Sequence, residues 1–256
     1  TGLRCTTLPP WRRSDLCVSD ERYPRSNRCC VRHASHFFPP KVFLTVKVLI
    51  LGVSGMLGHA MFRTLAELDR LDVHGTVRSD SNRAFFPAPL RERLLSGVDA
   101  EVTDHLAQVI LDSKPDVVIN CIGIVKQLVS DGNLLPILTL NAVLPHRLAA
   151  LCCDNDIRFV HISTDCVFSG TRGNYTEADV SDAEDFYGRT KFLGECHYPN
   201  TVTIRTSMIG HELSSAHGLL DWFLRQTTRV QGYSNAVFSG LTTIELAHVV
   251  RDIILP

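Results

Sequence analysis

The sequence predicts an α/β fold, a Rossmann-type doubly wound parallel sheet followed by a small C-terminal substrate-binding portion. Three observations predict it. From Val46 onward, short aliphatic runs alternate with segments of helical period. The runs at Val48–Leu51 and Val117–Ile119 are apolar at successive positions rather than at every second one, as in strands covered by helices on both faces. A glycine-rich turn joins the first run to the first helical segment.

Each element then has its own justification. Val46–Leu51 is β-branched and aliphatic and stops at Gly52, which reads as a strand. Leu57, Met61, Leu65 and Leu68 recur at helical spacing. Asp72–Val77 reads as a second strand. Thr103 is expected to cap a helix holding Leu106, Val109 and Ile110 that stops before Pro115. Asp116–Cys121 and Arg158–Ser163 are strands, separated by a helix over Asn141–Cys153 with Leu144, Leu148 and Leu151 on one face. Phe186–Cys196 is expected to be helical, Thr201–Thr206 extended and Thr243–Leu255 helical.

Residues 1–45 do not share this pattern. They hold two Pro-Pro pairs and eight basic against three acidic side chains, a net of +5 that leaves −6 for the rest of a chain totalling −1. Cys5, Cys17, Cys29 and Cys30 lack the paired spacing of zinc knuckles. A disordered or spurious extension is expected there, with Val46 as a start of the ordered chain; an organelle transit peptide is the other reading. The expected domains are therefore 1–45 as extension, 46–210 as the nucleotide-binding domain, and 211–256 as the start of a truncated substrate-binding portion. Over the whole chain, 26 basic residues nearly balance 27 acidic ones, which argues against a nucleic-acid partner. The 45% hydrophobic content argues against disorder as the dominant state. No apolar run approaches the roughly 20 residues of a membrane span, so no membrane partner is expected. The nine cysteines include Cys121, Cys152, Cys153, Cys166 and Cys196 in apolar or helical contexts, which points to free thiols in a cytoplasmic protein.

The turn Gly52-Val53-Ser54-Gly55-Met56-Leu57-Gly58 carries the glycine spacing of a dinucleotide phosphate loop. Side chains at its glycines would block the turn, the approach of a pyrophosphate, or the packing of helix on strand. The helix N-terminus would add N–H donors and a favourable dipole. Beyond the second strand stands Arg78, where an NAD site would place a carboxylate for the ribose 2′-hydroxyl. A guanidinium suits a 2′-phosphate, so NADP(H) is the preferred cofactor; Asp80 leaves NAD(H) open.

Tyr187 and Lys191 stand four apart on an expected helix, so both lie on one face. An ammonium beside the phenol would lower its pKa from about 10 and make it a usable acid or base. The pair alone arises easily by chance. Ser163-Thr164-Asp165-Cys166 closes a strand at the sheet edge where open α/β sheets bind ligands, and a hydroxyl there could bond a substrate carbonyl. No metal site is expected.

These pieces together resemble the extended short-chain dehydrogenase/reductases, and within them the dTDP-4-dehydrorhamnose reductase (RmlD-like) family. The matching segments are VLILGVSGMLG (48–58), DVVINCIG (116–123), Asn141 ahead of LPHRLA, HISTDCVFSG (161–170), YGRTK (187–191) and TIRTS (203–207). The resemblance runs from Val46 to the end. It implies Thr164, Tyr187 and Lys191 as catalytic residues. Tyr187 would give a proton to a sugar 4-keto oxygen while NADPH gives hydride to the carbon, Thr164 would orient the carbonyl, and Lys191 would hold the nicotinamide ribose. It implies Gly52, Ser54, Gly55, Met56, Leu57, Gly58, Arg78, Cys121, Ile122 and Gly123 as cofactor contacts, with Tyr187 and Lys191. Asn141 would support the site, and Lys126 would meet substrate phosphates or stay solvated. The implied partner is a nucleotide-sugar substrate of the kind used in dTDP-rhamnose biosynthesis, and a homodimer is compatible with the family.

The sequence also departs from that pattern. Cys166 stands where the reductases commonly carry Tyr, and no Glu is there to serve a dehydratase. Epimerase–reductases place a Cys at this position, so an epimerase or epimerase/reductase stays open, as does a filler role for a small apolar side chain. A further alternative is a non-catalytic NADP-binding regulatory subunit like that of methionine adenosyltransferase; the intact Thr164, Tyr187 and Lys191 speak against it. Trp222 and Phe223 are expected as core or sugar-stacking groups.

Overall fold

The structure is a computed structural model that describes residues 45–255; the expectations for residues 1–44, the zinc and transit readings among them, lie outside the described residues. The sheet strands are Val46–Leu51 (β1), Leu71–Thr76 (β2), Leu94–Leu95 (β3), Val117–Asn120 (β4), Arg158–Ile162 (β5) and Thr201–Ile204 (β6). They pair in parallel in the order β3-β2-β1-β4-β5-β6. Val48 is in register with both Val73 and Val117. This is the doubly wound order, and β1 and β4 form its switch point, where the chain leaves the sheet in opposite directions and opens a crevice at the strands' carboxyl ends.

Strand pleating assigns β1 to two cores. Val48 and Ile50 face one side with Val73, Ile119, Val160 and Ile162. Against them pack Leu57, Met61 and Leu65 of Met56–Ala66 (α1) and Leu246 and Ala247 of Thr243–Val249 (α8). Leu49 and Leu51 face the other side with Val118 and Phe159, covered by Leu106 and Ile110 of Thr103–Ser113 (α3) and by Leu144 and Leu148 of Leu144–Asp154 (α5). Each such buried side chain is worth about 1.5–3 kcal/mol. The burial explains why the strands read as continuous apolar runs.

The outlines differ from the expected ones in a few places. β3 is two residues long, too short to leave a period in the sequence. Thr103 does not cap α3; Val102 occupies the cap position, and the Thr103 hydroxyl instead accepts from Arg147 Nη1 at 2.8 Å. At its other end α3 is closed by Lys114 in the left-handed region (φ 47°), just before Pro115. The helix expected from Asn141 starts earlier, as Leu134–Leu138 (α4), and passes through a π-helical turn at Thr139–Val143 into α5. Leu144 N–H bonds Thr139 O across this turn, and Pro145 has no N–H to offer Asn141 O. The whole run, Leu134–Asp154, is long and apolar enough to cross a membrane by length and composition, contrary to expectation. Here Ile137, Leu140, Leu144 and Leu148 are buried in the protein core. A short helix, Ala88–Arg91 (α2), precedes β3.

The helix bearing Tyr187, Phe186–Leu193 (α6), ends at Gly194 rather than Cys196. Beyond β6 a two-stranded parallel ribbon, Met208–Ile209 (β7) and Leu241–Thr242 (β8), flanks Leu219–Leu224 (α7) in sequence. Trp222 and Phe223 on α7 are 44% and 54% exposed, so the core role expected of them does not hold.

Candidate active site

The glycine loop is built as a phosphate cradle. Gly52 takes φ +81°, a conformation side chains disfavour. Thr76 at the end of β2 fixes the turn: its Oγ1 accepts from Gly52 N at 3.1 Å and its carbonyl from Val53 N at 3.0 Å. Gly58 packs so closely on the loop that a Cβ there would stand 2.2 Å from Gly52 O. His59 N–H makes an i→i−4 bond to Gly55 O at 3.1 Å, so the N–H groups of Met56, Leu57 and Gly58 precede it at the open end of α1. Ser54 and Met56 are half-buried, Gly55 is exposed and Leu57 is a core residue. A bare backbone turn that opens onto a helix N-terminus fits a dinucleotide pyrophosphate.

The loop opens into a cleft of about 790 Å³. Gly55, Met56 and Leu57 line one end, and Cys121, Ile122 and Gly123 form part of its wall just past β4. That wall is held from below by two buried amides. Asn120 Oδ1 accepts from Ile122 N at 3.1 Å. Asn141, inside the π turn, accepts from Ile124 N at 2.8 Å and donates to Ile124 O at 2.9 Å. Its side chain thereby replaces the strand partner that this backbone lost on leaving the sheet. Gly123 lies against the same group: a Cβ would be 3.3 Å from Asn141 Oδ1 and 3.8 Å from Lys191 Nζ. Asn141→Leu is expected to leave both Ile124 groups unpaired and to cost about 2–6 kcal/mol, at roughly 1–3 kcal/mol per orphaned group. Urea unfolding measures this, and a loss below about 1 kcal/mol would show that the loop does not depend on the clamp.

Tyr187 and Lys191 both line the cleft from α6. Asp185 caps that helix by accepting from Gly188 N at 3.0 Å. Burial pushes the Tyr187 phenol up to about 12, and the Thr164 hydroxyl beside it pulls the other way. The expectation that Lys191 lowers this pKa is thus corrected. Lys191 is itself buried, and its Nζ is turned to donate to Ile162 O at 2.7 Å. Burial lowers the Lys191 pKa to about 8, opposed by the charge of Glu195. The phenol is therefore a proton donor at neutral pH, the form a ketone reduction uses. Thr164 is 5% exposed at the end of β5, and its Oγ1 accepts from Cys166 N at 3.2 Å.

Cys166 is half-buried, and burial raises its thiol pKa, the opposite of what an acid–base thiol needs. Arg78 is exposed just past the carboxyl end of β2. Lys126, its side chain more than half exposed, pairs with Asp185 at 3.0 Å. Leu219 reaches the cleft from α7, whereas Trp222 and Phe223 do not line it. Thr76, Asn120 and Asp165 escaped the sequence reading as site residues. Asn120 alone left a signal, a polar side chain closing an otherwise apolar strand.

A family model described as RmlD substrate binding domain matches residues 46–230. The chain belongs to that family. Among RmlD-family and related proteins, the probable low-salt glycan biosynthesis reductase Agl14 of Haloferax volcanii is 34% identical over 166 residues, 62% of this chain and 52% of that protein. The dTDP-4-keto-6-deoxy-D-glucose reductase of Streptomyces niveus is 30% identical over 155 residues, 59% and 47% of the two chains. Methionine adenosyltransferase 2 subunit beta of Mus musculus is 32% identical over 149 residues, 58% and 41%. The chain spans about half the length of the curated relatives it matches. In fold it resembles the dTDP-4-dehydrorhamnose reductase of Bacillus anthracis str. Ames, solved in complex with NADP, at TM-score 0.66 and 20% identity over 83% of this chain and 72% of that one.

Proposed function

We propose that this RmlD-family chain carries the cofactor-binding and catalytic part of an NADPH-dependent reductase of a nucleotide-linked 4-keto-6-deoxy sugar, a reaction of the cytoplasm. One observation carries the reading: a half-buried Tyr187, its phenol pushed up to about 12 by burial, lines the same cleft as the glycine cradle, with the Thr164 hydroxyl beside it. The names of relatives such as the Streptomyces niveus enzyme support the substrate class. The cradle would hold the pyrophosphate on the free N–H groups of α1, and Arg78 would face a 2′-phosphate. Bound reduced nicotinamide supplies hydride. Thr164 would hold the ketone oxygen, and Tyr187 would pass its proton to that oxygen as negative charge develops there. Lys191 would hold the nicotinamide ribose hydroxyls by its ammonium. The raised Cys166 thiol argues against an epimerase/reductase that would use it as a base at the carbon beside the ketone.

The test is NADPH consumption with a dTDP-4-keto-6-deoxy sugar. Ketone-dependent oxidation of NADPH is the expected result; tight NADPH binding without reduction of any 4-keto sugar would sink the reading. That second outcome would favour a non-catalytic role as a subunit of another enzyme, in line with the mouse relative's name, a methionine adenosyltransferase subunit.

The buried lysine gives the cofactor interaction its own pH dependence. With a pKa lowered to about 8, Lys191 is charged below pH 8 and neutral above it in the folded chain. An unfolded lysine stays charged to about 10.4, so between those values the folded state binds fewer protons and gains stability as pH rises. Cofactor affinity moves the opposite way, because the ammonium that donates to the ribose is lost. The NADPH Kd is expected to rise about tenfold between pH 8 and pH 9.5, and to stay flat over that range in Lys191→Met. Equal slopes for both proteins in a fluorescence titration would remove Lys191 from the cofactor site.

A further inference from the structure

Two chain segments that leave adjacent strands meet beside the cleft. After β5 the chain runs Ser163-Thr164-Asp165-Cys166; after β6 it runs Arg205-Thr206-Ser207. They are joined at two points. Arg205 donates from Nε and Nη2 to the two oxygens of buried Glu195, at 2.9 and 2.7 Å, and Ser163 Oγ donates to the same carboxylate at 2.8 Å. Ser207 Oγ donates to Asp165 Oδ1 at 2.6 Å. Thr164 Oγ1 also donates to that same Oδ1, across a long 3.4 Å.

We infer that Ser207 is a positioning residue for the ketone reduction. By donating to Asp165 Oδ1 at the shorter distance it weakens this carboxylate's hold on the Thr164 hydroxyl hydrogen, which a substrate oxygen can then take. The inference rests on the reductase reading above.

The chemistry follows from counting hydrogens. Thr164 has one O–H to give, and its oxygen already accepts the Cys166 N–H. Two acceptors then compete for that single hydrogen, the Asp165 carboxylate and the incoming carbonyl oxygen. A charged acceptor attracts a donor about twice as strongly as a neutral one, so without Ser207 the Asp165 oxygen would win. Ser207 shifts the balance, because its own short bond draws charge off the oxygen that Thr164 also uses. Its 2.6 Å bond lies in the range of strong O–H···O⁻ contacts, while the 3.4 Å Thr164 separation is too long for one. Thr164 with its hydrogen turned to Asp165 would present a lone pair to the carbonyl, which repels rather than orients it.

Ser207 is itself fixed from the opposite wall. Its carbonyl accepts from Leu241 N at 3.1 Å as the β7–β8 ribbon begins, and a Cβ on Gly240 would stand 2.3 Å from that carbonyl. The next two residues, Met208 and Ile209, line the cleft. The wall a substrate would touch is thus tied to the hydroxyl that would orient it.

The test is a double-variant cycle on the full chain, reading kcat, KM and NADPH Kd for Ser207→Ala, Ser207→Thr, Thr164→Ala and the double variant Ser207→Ala/Thr164→Ala. Ser207→Ala is expected to lower kcat about tenfold with NADPH Kd unchanged, and Ser207→Thr to restore it to within about twofold. In the Thr164→Ala background Ser207→Ala is expected to add less than about twofold, because the hydrogen it protects is gone. An equal loss in both backgrounds, or an unchanged kcat for Ser207→Ala, would overturn the inference while the reductase reading stands. An unaltered chain that binds NADPH but reduces no ketone would overturn that reading and this inference with it.

Discussion

Tyr187→Phe is expected to lower kcat by about 10²–10⁴-fold while NADPH binds within about twofold of its original affinity. Tyr187 lines the cleft, and Phe keeps its ring there. What disappears is the phenolic proton. Burial holds that proton on the oxygen to about pH 12, so the unaltered protein keeps a donor across the neutral range. Cys166, Asp165 and Asp185 reinforce the effect, since negative charge around the ring disfavours phenolate. In the variant the Thr164 hydroxyl still orients the ketone, which leaves a residual rate rather than none. On the proposed reading, cofactor binding rests on other groups, the bare amides of the glycine cradle and the ammonium of Lys191. A steady-state comparison with a parallel NADPH titration decides it. Unchanged turnover would hand the proton transfer to another group, and loss of NADPH binding would make Tyr187 a structural residue.

The parts of this arrangement that were legible in the sequence are those written locally. The cradle is legible because a turn with three glycines has few other reasons to follow an aliphatic strand. The central strands are legible because burial on both faces leaves Val48–Leu51 and Val117–Ile119 wholly apolar, with Asn120 closing β4. The pairing of Tyr187 with Lys191 on one helix face is legible from spacing alone, but its electrostatics are not. Spacing placed the ammonium near the phenol; the carbonyl of Ile162, 29 residues away, decides where it points. Asn141 was legible as a position but not as a clamp, because the π turn that aims it inward shifts the helical register that periodicity assumes. Gly194 shows the same limit. Its Cβ would sit 2.0 Å from Asn141 O, a contact across more than fifty residues that ends α6 early and lets it lie against the π turn. The tie between Ser207 and Asp165 spans 42 residues and joins two ordinary-looking strand exits.

Gly58→Ala is expected to destabilise the chain by about 2–3 kcal/mol, a fall in Tm of about 5–10 °C, and to abolish measurable NADPH binding. Two effects of opposite sign compete. Alanine is the better helix former by about 1 kcal/mol, and Gly58 lies inside α1 without a positive φ, so local propensity favours the change. Packing opposes it. The new Cβ would stand 2.2 Å from Gly52 O and 2.9 Å from both Gly52 C and Val53 Cα, all of them backbone atoms. No rotamer relieves such a contact, so α1 must lift from the loop or the loop must move. The loop cannot move cheaply, because Thr76 pins it on both sides of the turn and Gly52 is already at φ +81°. If the helix lifts, Leu57, Met61 and Leu65 leave the β1 core, which outweighs the propensity gain. Either movement also pulls the first-turn N–H groups out of register with the cradle. Gly55→Ala separates the two consequences: its Cβ would lie 3.4 Å from Gly52 O, an ordinary contact, at a position exposed at the cradle. That variant is expected to keep its Tm within about 2 °C and to lose NADPH affinity, because only the approach of the pyrophosphate is obstructed. Thermal melts and NADPH titrations of the two variants side by side read both terms. A Gly58→Ala protein that melts like its parent would show that helix and loop separate without cost, and the cradle would no longer explain why glycine occupies this position.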